Sequence, residues 1–247
     1  MDSKMIPEAA EKYIYYREPG IVLLHGDCRD ILPLLESDKS DLMLTDPPYG
    51  INYRPDYGNR KMPNGGTMFR TTAPAVKGDN VPFNPDFLFG FAREFILWGA
   101  NHYRQHLPEG GSFLIWDKRC QVIPPRCQSD CEIAWISRDV GERIFYHIWD
   151  GMIRASEKKT PKLHPTQKPV ALMDWCIEFM KDVKRIVDPF MGSGPIAEAA
   201  KFHGIEYIGI EIEAEYLDKA IGRLRQSNLL SAAVEGEGER QEGLFDG

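Results

Sequence analysis

VDPFMGSGPIA, residues 187–197, decides the fold. A short apolar run leads into a tight glycine turn, and Pro195 then stands where a helix opens most readily. Gly192-Ser193-Gly194 with Ala197 fits the spacing G-x-G-x-x-G/A, and Glu211 ends the next apolar run, EYIGIE (206–211). Outward from this unit, strands and helices alternate. RIVD (185–188) and EYIGIE read as strands, and PVALMDWCIEFM (169–180) and PIAEAAKFH (195–203) as helices. The stretch 214–230 predicts a last helix with Tyr216, Leu217, Ala220, Ile221 and Leu224 on one face. Upstream, IVLLH (21–25), DLMLTD (41–46) and SFLIW (112–116) read as buried strands, with a short helix over 28–36. Dense apolar positions at helical spacing predict a helix over 85–107. From 117 to 163 the pattern weakens: EIAWIS and RIFYHIW predict two strands of a small insert, ahead of the basic stretch Arg154–Lys162. The alternation implies a doubly wound, mostly parallel α/β sheet, Rossmann-like, as one domain over 21–230. Residues 1–20 read as an arm and 231–247 as an acidic, frayed tail.

The glycine turn suits any adenosine cofactor, because small residues let backbone approach the ligand and Glu211 can accept from both ribose hydroxyls. An ordinary strand-to-helix turn, with Glu211 a solvated acid beside Glu213 and Glu215, has the same local pattern. Asp188-Pro189-Phe190 separates two cofactor types. A carboxylate there repels a pyrophosphate and welcomes a cationic amine or sulfonium, which points to S-adenosylmethionine (SAM) rather than a nicotinamide dinucleotide. Tyr57 and Lys61 have the spacing of a reductase dyad, but within an irregular loop that spacing reads as chance.

Thr45-Asp46-Pro47-Pro48-Tyr49-Gly50 carries the sharpest chemical signal. Asp46 falls at a strand's carboxyl tip, where open α/β sheets place their sites. The two prolines stop the strand and leave carbonyls rigidly aimed. Asp46 and the Pro47 carbonyl can accept the two hydrogens of an exocyclic amine, while Tyr49 stacks on the attached ring. The plainer reading is a cap and turn, for which Asp, Pro and Gly are good residues. Two prolines and an aromatic exceed what a turn needs.

TDPPYG (45–50), HPTQKP (164–169) and DPFMGSG (188–194), in that order, resemble the DNA amino-methyltransferases, and within them the small, circularly permuted β-class of bacteria and phages. WGANHY (98–103), IWDK (115–118) and the region 130–137 resemble phage-type members more loosely. The resemblance implies site-specific N6-methylation of adenine in duplex DNA, with Asp46, Pro47, Pro48 and Tyr49 catalytic. It implies that Asp188, Phe190, Gly192 and Gly194 shape the SAM loop, that Glu211 holds the ribose and that Asp27 lies near the adenine. Thr166 and Lys168 would stand near the methionine end. Apart from the resemblance, HPTQKP is a proline-punctuated helix start with His164 exposed. The family commonly continues its glycine turn with two threonines; here Pro195-Ile196 replaces them and a hydroxyl is lost beside the cofactor. Asp before Pro-Pro resembles the adenine enzymes, whereas N4-cytosine relatives often carry Ser.

Composition bounds the alternatives. The 247 residues are 43% hydrophobic and 27% charged, ordinary for a globular chain, with no apolar run of membrane-spanning length; residues 1–16 lack a secretory apolar region, so no leader is expected. Five cysteines suit a reduced cytoplasmic setting, which the resemblance implies is that of a bacterial cell or phage-infected host. Cys120, Cys127 and Cys131 lack the paired spacing of a zinc site, so no metal is expected. C5-cytosine chemistry is disfavoured because Arg126 interrupts its Pro-Cys-Gln setting. The net charge of −7 does not favour phosphate binding overall, yet residues 51–79 and 117–163 are locally basic. These two segments are the expected DNA-contacting loop and target-recognition region, with Arg60, Arg126 and Arg138 as candidate contacts. Double-stranded DNA is the expected partner, a cognate restriction endonuclease a further one, and the chain a monomer or homodimer. RNA as substrate and a catalytically silent nucleic-acid-binding scaffold remain as alternatives.

Overall fold

A computed structural model describes residues 5–35, 40–51, 78–121, 129–150, 153–157, 167–180 and 182–226. Its strands are β1 (Ile14–Glu18), β2 (Ile21–His25), β3 (Leu42–Thr45), β4 (Glu94–Trp98), β5 (Ser112–Asp117), β6 (Cys131–Ile136), β7 (Arg143–Tyr146), β8 (Trp149–Asp150), β9 (Ile153–Arg154), β10 (Arg185–Asp188) and β11 (Glu206–Glu211). The helices are α1 (Cys28–Ile31), α2 (Val170–Glu178), α3 (Pro195–Phe202) and α4 (residues 214–226), with short 3₁₀ turns between. One sheet runs β1-β2-β11-β10-β3-β4-β6-β5-β7, and β8 with β9 forms a small separate ribbon. Its centre, from β2 to β4, is parallel throughout. β1 is antiparallel to β2, and β6 is antiparallel to both β4 and β5.

Alternate residues of each central strand enter two different cores, as a period of two requires. Ile21 and Leu23, Leu42 and Leu44, Ile186 and Tyr207 join α2, α3 and α4 on one face. Val22 and Leu24, Met43, Val187 and Ile208 join Ile6, Ala10, Ile31, Phe83 and Tyr103 on the other. With helices or turns over both faces, these strands carry unbroken apolar runs, the mark of a covered parallel sheet. The fold is the expected mostly parallel α/β sheet.

Three expectations need correction. Residues 85–107 do not form one helix: they give a 3₁₀ turn (Pro85–Leu88), strand β4 and two further short turns. β4 is buried on both faces, Ile96 and Trp98 in one core and Phe95 and Leu97 in the other, so its apolar run carries no alternation to tell strand from helix. The weak region after 117 is not a separate insert. β6 and β7 belong to the main sheet, with β6 wedged between β4 and β5. Residues 14–18 are not an arm but an edge strand, and Ile6 and Ala10 are fully buried. The tail 231–247 and most of the loop 51–79 lie outside the described residues.

The chain leaves β10 toward β11 on one side and leaves β3 toward β4 on the other. β10 and β3 are direct neighbours, so the sheet reverses its winding between them. The carboxyl ends of strands flanking such a switch point are where open α/β sheets place ligands.

Candidate active site

Asp46 follows β3, Gly99 follows β4, Asp188 closes β10, Glu211 closes β11 and Asp27 lies just past β2, so all five stand at one end of the parallel strands. A cavity of about 710 Å³ opens there. Asp27, Asp46, Pro47, Pro48, Tyr49, Lys168, Asp188, Phe190, Gly192 and Glu211 all line it. Gly194 stands just behind, and Thr166 lies outside the described residues.

On the β11 side, backbone shapes the cavity. Gly192 and Gly194 take left-handed φ of 51° and 74°, which lets the turn reverse before Pro195 starts α3. A Cβ at Gly194 would meet the Ala220 Cβ at 2.9 Å, so α4 packs directly on the turn. Glu211 Oε2 accepts from the Gly192 N–H at 2.9 Å, and Oε1 from the Glu213 N–H at 2.9 Å. Burial raises the Glu211 pKa, those backbone donors oppose it, and each oxygen keeps a further lone pair for a ribose hydroxyl. Asp27 caps α1 through the Arg29 N–H at 2.8 Å. The cavity, glycine turn and strand-tip carboxylate therefore fit an adenosine-bearing ligand.

Asp188 is engaged within the protein. Its carboxylate is fully buried and accepts from Thr45 Oγ1 (2.6 Å), the Tyr207 hydroxyl (2.9 Å) and the Phe190 N–H (3.1 Å). It ties β3 to β10 across the switch point rather than offering a free charge to a sulfonium. Burial pushes its pKa up to about 7 despite those donors.

On the β3 side, charged side chains meet one another. Asp46 Oδ1 accepts from the Tyr49 hydroxyl at 2.5 Å, and Oδ2 pairs closely with Lys168 Nζ. The same ammonium reaches the Tyr49 oxygen at 2.9 Å and Glu132 Oε2 at 3.0 Å, while Lys118 Nζ holds Glu132 Oε1 at 2.9 Å. Lys168 is only 4% exposed. Burial would discharge it, but Asp46 and Glu132 more than compensate, so its pKa is raised. Burial likewise opposes ionisation of Glu132, yet Lys168 and Lys118 bring it down to about 2. For Asp46 burial wins and its pKa is raised, with Lys168 working against the shift and Glu132 with it. Lys168 thus sits in one cluster with Asp46, Tyr49 and Glu132.

Tyr49 is braced from several sides. The His102 ring stacks on it at 4.9 Å and 15°, and a Cβ at Gly99 would lie 2.0 Å from its Cε1. Burial lowers the His102 pKa. The buried carboxylate of Asp79 accepts from the N–H groups of Gly50 (2.8 Å) and Ile51 (3.3 Å), pinning the turn that carries the tyrosine.

Glu132, Lys118, Asp79, Gly99 and His102 were not singled out from sequence, although three of the loosely matching segments contain four of them. Among the expected DNA contacts, Arg60 and Arg126 lie outside the described residues. Arg138 is engaged by Asp182 (3.0 Å) and Glu94 (3.3 Å), at the end of β4 away from the cavity. No metal-binding group of His, Cys, Asp or Glu occurs among the described residues, and no described helix is long and apolar enough to cross a membrane.

Comparison with known proteins bears on this geometry. The N6/N4 methyltransferase family model, described as DNA methylase, matches residues 66–222. The type II methyltransferase M.HinfI of Haemophilus influenzae is 40% identical over 257 residues, covering 83% of this chain and 68% of that protein. M2.DpnII of Streptococcus pneumoniae, also a type II methyltransferase, is 26% identical over 259 residues, 87% of this chain and 93% of its own. Two solved structures share the fold. One is M1.HpyAVI in complex with SAM, at TM-score 0.50 and 23% identity over 82% of this chain and 99% of that one. The other is the cytosine-N4-specific PvuII DNA methyltransferase, at TM-score 0.50 and 15% identity over 83% and 88%. With a strand-tip DPPY turn facing a glycine loop across one cavity, and more than half its length matched, the chain belongs to the N6/N4 DNA methylase family.

Proposed function

We propose that this DNA methyltransferase acts on the N6 amine of adenine within a specific duplex sequence, with SAM as donor and the target base flipped into the cavity. One observation carries the reading: Asp46 and Glu211, 165 positions apart in the chain, line the same cavity on either side of the β3–β10 switch point. Asp27, Phe190, the glycine turn and Glu211 would hold the cofactor. When bound, SAM would supply an electrophilic methyl group on its sulfonium; in-line transfer to the amine breaks the methyl–sulfur bond, leaves a neutral thioether, releases one amine proton to solvent and needs no covalent enzyme intermediate.

The protein's part is positional and electrostatic. An aromatic amine is a poor nucleophile because its lone pair is delocalised into the ring. Asp46 accepts one amine hydrogen and the Pro47 carbonyl the other, drawing the nitrogen toward tetrahedral geometry and freeing that lone pair. Asp46 must be ionised for this; the ammonium of Lys168 favours that form against burial. Tyr49 offers its ring to the base, offsetting part of the few kcal/mol that unstacking costs. Asp rather than Ser before Pro-Pro supports adenine over cytosine. The basic segments 51–79 and 117–163 supply the DNA contacts and target recognition.

Incubating the protein with SAM and mixed-sequence duplex DNA, then hydrolysing to nucleosides for mass spectrometry, tests this. N6-methyladenine is expected. N4-methylcytosine in its place would move the assignment to cytosine, and no methylated nucleoside would end it.

A further inference from the structure

Lys168 has three N–H bonds, and three acceptors surround it: Asp46, the Tyr49 oxygen and Glu132. Asp46, for its part, has Oδ1 engaged by Tyr49 and Oδ2 by Lys168. The incoming amine must therefore be accepted on remaining lone pairs of a carboxylate already in contact with a cation. An ammonium serving Asp46 alone would draw density from that carboxylate and make it a poorer acceptor. Glu132, at 3.0 Å from the same nitrogen, pulls the charge the other way. Lys118, at 2.9 Å from the far oxygen of Glu132, completes a row of alternating sign. Two carboxylates face two ammonium groups, so the row carries no net charge, and removing one member would leave an uncompensated buried charge. The β-sheet register fixes the row: Glu132 of β6 lies opposite Trp116 of β5, two residues before Lys118.

We propose that Glu132 is a positioning residue for methyl transfer, dividing the Lys168 ammonium between two carboxylates so that Asp46 keeps acceptor strength for the target amine. This rests on the functional reading above. A purely structural Glu132 would only neutralise the buried Lys168 and the half-buried Lys118. The two roles separate in the pH dependence of the chemical step. The charged and titratable groups facing Asp46 are Tyr49 on its own turn, Lys168 ahead of α2, Glu132 on β6, Tyr103 after β4 and Asp188 on β10. Of these, Glu132 raises the Asp46 pKa and Lys168 lowers it. Replacing Glu132 by Gln removes the first influence and leaves Asp46 as the one carboxylate on Lys168, and both changes act in the same direction.

The experiment measures single-turnover methylation of duplex DNA at saturating SAM across pH for wild type, Glu132→Gln and Glu132→Asp, with SAM affinity by calorimetry on each. For Glu132→Gln the expected result is a plateau rate lower by roughly tenfold, an acid limb displaced to lower pH and unchanged SAM affinity. Glu132→Asp should recover part of the rate and lie between. A Glu132→Gln plateau within about twofold of wild type, or an acid limb that stays in place, overturns the proposal. Should Glu132→Gln not fold, as loss of SAM binding would show, the test passes to Glu132→Asp, for which a wild-type acid limb overturns it. A wild-type protein that binds SAM yet methylates no amine would refute the functional reading, before any variant is compared.

Discussion

The two sides of the cavity are built on opposite plans. The β11 side comes mostly from one stretch of chain, 185–213, joined by Asp27, and works largely through backbone: two left-handed glycines and the amide N–H groups that fasten the carboxylate of Glu211. The β3 side draws Asp46, Asp79, His102, Lys118, Glu132 and Lys168 from segments far apart and works through side-chain charge. The first can be damaged piecemeal, because each backbone contact stands largely alone. The second is a coupled set in which one substitution alters every neighbour.

Asp46→Ala should break the comparison most visibly. Removing a preorganised charged acceptor costs roughly 10²–10³ in kcat, while calorimetry should find SAM affinity close to wild type. If affinity fell as far as the rate, the two sides would not be separable. Glu211→Ala should show the mirror image: SAM binding weaker by about 10- to 100-fold, the scale of hydrogen bonds to a charged group, with kcat at saturating SAM near wild type. A large kcat loss there would place Glu211 in the chemistry.

Asp79→Ala probes whether the catalytic turn is held from outside. Two N–H groups lose their acceptor, and kcat is expected to fall by roughly tenfold with SAM affinity unchanged. Asp79→Asn, which keeps one acceptor oxygen, should recover part of that loss. Equal rates for both variants would remove Asp79 from any positioning role.

The smallest effect is on stability. The Asp188 pKa in the folded protein, about 7, lies above its ordinary 3.8. Between those values the folded state keeps a proton that the unfolded chain has released. The stabilisation is complete below the ordinary carboxylate range and is lost as pH rises toward 7. Thermal melts from mildly acid to neutral pH should slope downward in wild type and flatten in Asp188→Asn. Parallel slopes would show that Asp188 titrates normally.

This division also explains what could be read from the residues alone. β2, β3 and β10 are short apolar runs ended by Gly, Asp or Pro, β11 is one ended by Glu211, and Gly192, Gly194 and Glu211 share a spacing within one strand–turn–helix–strand unit. β4 was mistaken for helix because burial on both faces erases the alternation that marks a strand. Glu132 and Lys118 had no local signal: one charged residue on a strand looks like surface until the register of β5 and β6 carries it to Lys168. Asp188 is a different case. It stands beside the glycine turn, and what the residues alone do not show is that its oxygens accept from Thr45, Tyr207 and the Phe190 N–H.

The clasp between Asp79 and the amides of Gly50 and Ile51 has an evolutionary consequence. Both ends of the intervening stretch are fastened at one point beside the tyrosine, so exchanging or lengthening what lies between leaves the reacting groups in register. On the reading proposed above, in which residues 51–79 contact DNA, target choice could then diverge without disturbing the turn that carries Tyr49.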